Sequence, residues 1–178
     1  AGRFAAALGI EVGVEPAAAM AARARERGIN VYAGVAERLP LADHSFDFAL
    51  MVTVLCFVAD PEQALREAVR VLRPGGALLI AIVDRETPLG QAYLAKKDSS
   101  PFYRHARFYS TPEVTALMQA AGFGEFEYRQ TLFGPPEQWG AAPDRVEPGF
   151  GRGGFVVIRG RLPRGSGEQL PPVGTPLP

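Results

Sequence analysis

The run Arg70-Val71-Leu72-Arg73-Pro74-Gly75-Gly76, followed directly by Ala77-Leu78-Leu79-Ile80-Ala81-Ile82-Val83, constrains this chain more than any other stretch. It ends a helix, turns on Pro-Gly-Gly and enters an apolar strand. A strand apolar on both faces needs cover on both faces, which helices supply in a parallel α/β sheet. The upstream sequence repeats the alternation. Glu11-Val12-Gly13-Val14-Glu15-Pro16 reads as a short strand tipped by a carboxylate and stopped by Pro. Residues 17–27 are good helix formers closed by Gly28, and residues 30–34 read as a second short strand. Phe46 to Val54 is a strong apolar strand, and Asp60-Pro61 opens a helix to about Leu72.

The pattern changes after Val83. Residues 88–108 are polar and aromatic. Ser110 or Thr111 can cap a helix to about Ala121, which Gly122 ends. Residues 125–133 and 155–162 are strand-like with no helix between them, so they are expected to pair antiparallel. Residues 163–178, rich in Pro and Gly, are expected to be a disordered tail. The chain opens on Ala1 within a short helical pattern, residues 2–8, which reads as a fragment; a processed N-terminus is the alternative.

Composition narrows the function. Nineteen basic residues balance nineteen acidic ones, so nothing suggests a nucleic-acid or acidic-lipid footprint, and a small molecule is the expected partner. The single cysteine, Cys56, excludes an internal disulfide. The two histidines, His44 and His105, are too isolated for a metal cluster, so no metal is expected. No apolar run approaches the ~18 residues of a membrane span and no signal peptide is visible, which points to the cytoplasm and away from a membrane.

An acidic residue at the carboxyl end of a second parallel strand is where a doubly wound sheet holds a nucleoside ribose. Here Glu15 is followed in order by Ala36-Glu37 with Leu39-Pro40, Ser45-Phe46-Asp47, the Arg70–Gly76 run, and Ala121-Gly122-Phe123 before the terminal strands. In this order the chain resembles a class I S-adenosylmethionine (SAM)-dependent methyltransferase of the small-molecule type, over about residues 2–162. The resemblance implies one domain over 1–162 and an α/β, Rossmann-like, doubly wound, mostly parallel sheet with a C-terminal antiparallel hairpin. It also implies that the first, central strand and most of the glycine loop are missing, with Gly2 as the last glycine of that loop. The strands ending at Glu15 and Val54 must then pair directly, or the fragment is only marginally stable.

The resemblance implies SAM as cofactor and transfer of its methyl group to a small-molecule acceptor. Glu15 would hold the ribose hydroxyls, and Pro16 and Met20 would pack on the adenine. Ala36 and Glu37 would meet the adenine edge. Many relatives carry an Asp one position before that Ala; this chain has Val35. Thr53 and Val54 would line the sulfonium and methyl group, with Cys56 and Phe57 shaping the same wall. A nicotinamide-dependent oxidoreductase and a non-catalytic fragment or interaction domain are the alternatives.

Methyl transfer from a sulfonium requires no fixed catalytic residue, because the cofactor carries the reactivity and the protein supplies position and a dry pocket. A general base matters only when the acceptor must lose a proton. Over the carboxyl ends of the strands, Tyr103, Arg104, His105 and Tyr109 are the candidate acceptor-binding residues. His105 is either a base, with an ordinary pKa near ~6.5, or a solvated loop residue. Arg104 and Arg107 either bind an anionic acceptor or face water. Trp139 is a pocket lid or a hydrophobic anchor. Cys56 reads as an apolar residue rather than a nucleophile, since no basic partner adjoins it.

Overall fold

The structure, a computed structural model, describes residues 5, 7–134 and 145–164. The expectations for Gly2, Trp139 and all but the first two residues of the tail fall outside them. Among the described residues the strands form two sheets. In the first, β1 (Val12–Val14) pairs parallel with β2 (Asn30–Tyr32). In the second, the order is β3-β4-β7-β5-β6, with β3 Phe46–Val52, β4 Leu72–Val83, β5 Gly124–Thr131, β6 Glu147–Pro148 and β7 Phe155–Arg161. β3 runs parallel to β4, whereas β7 is antiparallel to both β4 and β5. The architecture is α/β with parallel pairs in the first half and the expected antiparallel ending in the second. Direct pairing between β1 and β3 does not occur, and no described strand precedes β1.

Two helices pack on the larger sheet for reasons visible in their sequences. In α2 (Pro61–Val71), the Asp60 carboxylate accepts from the Gln63 backbone N–H at 2.9 Å, and Pro61 occupies the first turn, where no N–H partner is needed. Its apolar stripe buries Ala64, Leu65, Ala68 and Val71. Burying a side chain such as Leu65 contributes about 1.5–3 kcal/mol. In α4 (Thr111–Ala120), Ser110 and Glu113 form a reciprocal capping box, so Ser110 rather than Thr111 is the cap. Both helices close over Leu72, Leu78, Ile80, Val156 and Ile158, one continuous core.

Several boundaries differ from the sequence reading. α2 stops at Val71 because Leu72 is already extended and pairs with Phe46, and β4 bulges through Arg73–Gly76 before regaining register at Ala77. Gly75 takes a positive φ of 78° in that bulge, a conformation glycine adopts at no steric cost. β3 ends at Val52 rather than Val54, because Thr53 turns left-handed (φ 50°) into a short 3-10 helix, Leu55–Phe57. The expected helix over 17–27 is α1, Ala18–Arg25. The aromatic segment after Val83 contains α3 (Pro88–Ala95), capped by Thr87, whose hydroxyl accepts from the Gly90 N–H at 3.3 Å.

β1, α1 and β2 share only a small core of Ala21, Ile29 and Val31. Polar ties join the loop after β2 to α2. Arg70 donates to the carbonyls of Leu39 (3.0 Å) and Leu41 (2.8 Å) and to Asp43 (2.6 Å), and Glu67 accepts from the Leu39 N–H at 2.7 Å. No helix among the described residues is long and apolar enough to cross a membrane.

Candidate active site

At the carboxyl ends of β3 and β4 lies a cavity of about 260 Å³, lined by Thr53, Cys56 and Phe57 after β3, by Ile82 and Val83 of β4, and by Tyr93, Phe102, Tyr103, Phe108 and Tyr109 above them. The carboxyl ends of parallel strands are where this class of sheet presents its ligand crevice. The aromatic walls are built on one another. Tyr93 meets Tyr103 edge-on at 5.2 Å and Phe108 at 5.9 Å, and Tyr103 stacks near Phe57 at 6.2 Å with planes 20° apart. Such pairs favour offset and edge-to-face arrangements, so each ring fixes its neighbours. The Arg107 N–H donates to the Cys56 carbonyl at 2.8 Å, and the Arg107 guanidinium lies 4.9 Å from the Tyr109 ring centre.

Burial sets the protonation of this wall. It pushes the Cys56 thiol up to about 11, a backbone hydrogen bond opposing it weakly. Tyr103 is raised by burial first and by the neighbouring Tyr93 second. Tyr109 is raised by burial, which outweighs the opposing Arg107 charge. All three are protonated, uncharged groups at neutral pH, hydrogen-bond donors rather than bases.

Thr53 sits where β3 opens into the cavity. Its N–H donates to the Ala81 carbonyl at 2.9 Å, its hydroxyl donates to the Val52 carbonyl at 2.8 Å, and its backbone is left-handed. For a β-branched residue that conformation is a true outlier and costs on the order of 1–3 kcal/mol. Val54 follows as the residue before the 3-10 helix and does not line the cavity.

The other expected residues divide. Glu15 follows β1 directly and is half-buried; one carboxylate oxygen accepts from the Ala17 N–H at 3.0 Å, and no described cation pairs with it. Pro16 and Met20 are exposed, Met20 at 50%. Ala36 is half-buried in the loop after β2. Glu37 beside it is engaged: Oε1 accepts from the N–H groups of Ala59 (2.9 Å) and Asp60 (3.3 Å), tying the loop after β2 to the loop after β3. Tyr103 and Tyr109 line the cavity, whereas Arg104 and His105 are exposed and do not.

Sequence reasoning passed over Asp84. It is buried at the end of β4, where Oδ2 accepts from the Thr111 hydroxyl (2.6 Å) and N–H (3.3 Å) and Oδ1 from the Glu86 N–H (2.9 Å). It thereby fixes α4 and the turn into α3, the two elements that frame the aromatic segment. The same signal that marked Glu15, a carboxylate closing an apolar strand, was present there.

Comparison with known proteins agrees with this geometry. Residues 1–80 match the family model described as a methyltransferase domain. The chain superposes with a TM-score of 0.87 and 55% identity on the crystal structure of a SAM-dependent methyltransferase of Thermotoga maritima, described as a possible histamine N-methyltransferase, covering 90% of this chain and 77% of that one. It is 42% identical over 159 residues to an uncharacterised protein of Methanocaldococcus jannaschii, 88% of this chain and 76% of that protein. It is 38% identical over 162 residues to a protein of Mycobacterium tuberculosis, of which it spans 56%. The chain is a member of the SAM-dependent methyltransferase family, and its cofactor is S-adenosylmethionine.

Proposed function

We propose that this chain transfers a methyl group to a small-molecule acceptor bound in the aromatic cavity. The observation that carries the reading is the cavity itself, an apolar chamber at the strand ends walled by rings. Ligand pockets for drug-sized molecules run to about 300–1,000 Å³, so this one suits a smaller compound. The description of the Thermotoga relative as a possible histamine N-methyltransferase agrees with a small acceptor.

The residues present fit the cofactor in part. The Glu15 carboxylate, unpaired by any described cation, has the acceptor capacity for two ribose hydroxyls. Pro16 and Met20 offer exposed apolar surface for a base, and the Ala36 amide offers a backbone donor. Glu37 has one oxygen committed to Ala59 and Asp60, so its role is to hold the Ala36 loop rather than to recognise the base by itself. Gly2 would add backbone donors to the methionine end. When bound, the cofactor supplies an electrophilic methyl group on a sulfonium. Thr53 and Cys56 form the floor between the two halves of the site. Phe57, Tyr93, Tyr103 and Phe108 exclude water and hold the acceptor flat, and Tyr103 and Tyr109 donate hydrogen bonds to it. Positioning and desolvation account for the chain's share of catalysis.

Calorimetric titration with S-adenosylhomocysteine tests the cofactor half. Binding that falls at least tenfold in Glu15→Ala and is unchanged in Arg104→Ala supports the assignment. Binding indifferent to Glu15 overturns it.

A further inference from the structure

We infer that Glu37 is a positioning residue that couples the two halves of the site: a nucleoside bound against the Ala36 loop steadies, through Glu37, the segment 53–60 that carries Cys56 and Phe57 to the cavity. This coupling rests on the placement of the nucleoside beside Glu15 and Ala36 proposed above.

Segment 53–60 depends on outside support. It enters through Thr53, whose left-handed backbone (φ 50°) is a strained conformation that persists only where neighbours impose it. Within the turn, the Phe57 N–H donates to the Val54 carbonyl at 2.9 Å and the Val58 N–H to the Leu55 carbonyl at 3.3 Å. Leu55 is buried beneath it, whereas Phe57 is 53% exposed. Ties from three directions hold the rest. At its start the Thr53 N–H donates to the Ala81 carbonyl at 2.9 Å. On the cavity side the Cys56 carbonyl accepts from the Arg107 N–H at 2.8 Å. At its end the N–H groups of Ala59 (2.9 Å) and Asp60 (3.3 Å) donate to a single Glu37 oxygen. Cys56 and Phe57 therefore stand between a tie to the aromatic wall and a tie to the cofactor loop.

The Glu37 carboxylate differs from the other ties of its loop in where it lands. Gln63 donates to the Glu37 carbonyl at 3.2 Å, and Glu67 and Arg70 hold Leu39 and Leu41. Those three residues lie in the body of α2, which Leu65 and Ala68 already fix to the large core. Glu37 instead reaches the entry to that helix, just after Phe57. Its bonds there are charge-assisted and aimed at the positive end of the helix, so they are stronger than neutral ones. Ala36 and Glu37 share one peptide. A base hydrogen-bonded to the Ala36 amide restrains the residue from which Glu37 reaches across, and order at either end narrows the motion of the other. By linkage, whatever packs against Phe57 tightens the nucleoside by the same factor.

The experiment follows two reporters on segment 53–60, with and without saturating S-adenosylhomocysteine. One is hydrogen exchange of the Arg107 amide by NMR; the other is the rate of Cys56 alkylation by iodoacetamide at pH 9. Calorimetry fixes the saturating concentration for each variant. In the wild-type chain the ligand should slow both reporters by about fivefold or more. Glu37→Ala should still bind the ligand at higher concentration but show less than about twofold protection. Glu37→Gln, whose amide oxygen still accepts from Ala59 and Asp60, should recover about threefold protection or more. Glu37→Asp keeps the charge but withdraws the oxygens by one methylene. It should lose protection as the alanine variant does, so the test stands even where Glu37→Ala fails to fold. Arg70→Ala, which loosens the same loop at Leu39 and Leu41, should keep the wild-type protection. Full protection in Glu37→Ala or Glu37→Asp means that the ligand shields the segment directly, and overturns the coupling. Equal loss in Arg70→Ala means general loosening, and overturns it too. Wild-type binding without protection sinks the coupling alone, whereas no binding to the wild-type chain sinks the cofactor placement beneath it.

Discussion

Arg70 grips Glu67 with two parallel hydrogen bonds, Nε to Oε1 and Nη2 to Oε2, each 2.7 Å. The pair sits on one face of α2, and the same guanidinium reaches the Leu39 and Leu41 carbonyls and Asp43. Arg70→Ala removes all five bonds, leaves two carbonyls without this donor and leaves the half-buried Glu67 carboxylate with only the Leu39 N–H. It should destabilise the chain by about 2–3 kcal/mol in urea denaturation. Arg70→Lys should recover less than half of the loss, because an ammonium cannot reproduce the planar fork. A cost below ~0.5 kcal/mol would show that water replaces the network.

Thr53 holds a left-handed backbone at the edge of the cavity. Thr53→Gly relieves the left-handed strain and should raise stability by about 1 kcal/mol in thermal unfolding, while S-adenosylhomocysteine binding weakens. The opposite pattern, lower stability with binding intact, would mean that the side-chain contacts outweigh the strain.

Acid unfolding should report on two carboxyls. The Glu67 carboxyl is held below its ordinary value by the Arg70 hydrogen bond first, with burial opposing and the Leu39 N–H assisting. Burial is the largest influence on Glu113 and raises it, but the Ser110 N–H and Arg85 together outweigh it and leave it lowered. A carboxyl lowered in the folded state contributes stability that is complete above its unfolded pKa, near ~4.3, and is lost as pH falls through the folded value. Stability should therefore drop steeply below about pH 4.3. Glu67→Gln should lower stability at pH 7 and flatten that acid limb; an unchanged limb would contradict the assignment.

Cys56, with its thiol raised to about 11, should resist alkylation by iodoacetamide at pH 7.5 in the folded chain. The same reagent should modify it readily in urea, where a free thiol has a pKa near ~8.5. Equal rates folded and unfolded would mean the cavity floor is open to water.

Local signals in the sequence were reliable where the physics is local. Asp60-Pro61 and Ser110 announce helix starts because the side chain that caps lies within three residues of the N–H it satisfies. Tyr103 and Tyr109 are expected over the strand ends from the order of the elements, and both line the cavity there. What stayed hidden depends on distant partners. Glu37 reaches Ala59 across 22 residues, Asp84 reaches Thr111 across 27, and Arg70 reaches Leu39 across 31. Nothing near these residues distinguishes a committed side chain from a solvated one. The sequence places Thr53 at a strand end, but its left-handed backbone is invisible in a residue type that normally avoids it.

The two sheets divide the proposed site unevenly. Glu15, Pro16, Met20 and Ala36 ride on the β1-α1-β2 layer, whose apolar centre is three residues deep, while the aromatic chamber stands on the large core. Hydrogen exchange should find the first layer opening many times before the second, with the Arg70 and Glu37 ties as its hinges to the rest. A nucleoside grasped by that layer and a methyl group presented over Thr53 would then act as a clasp between a loose half and a firm one. Ligand binding would show first as slower opening of residues 12–32, before any change in the melting of the core.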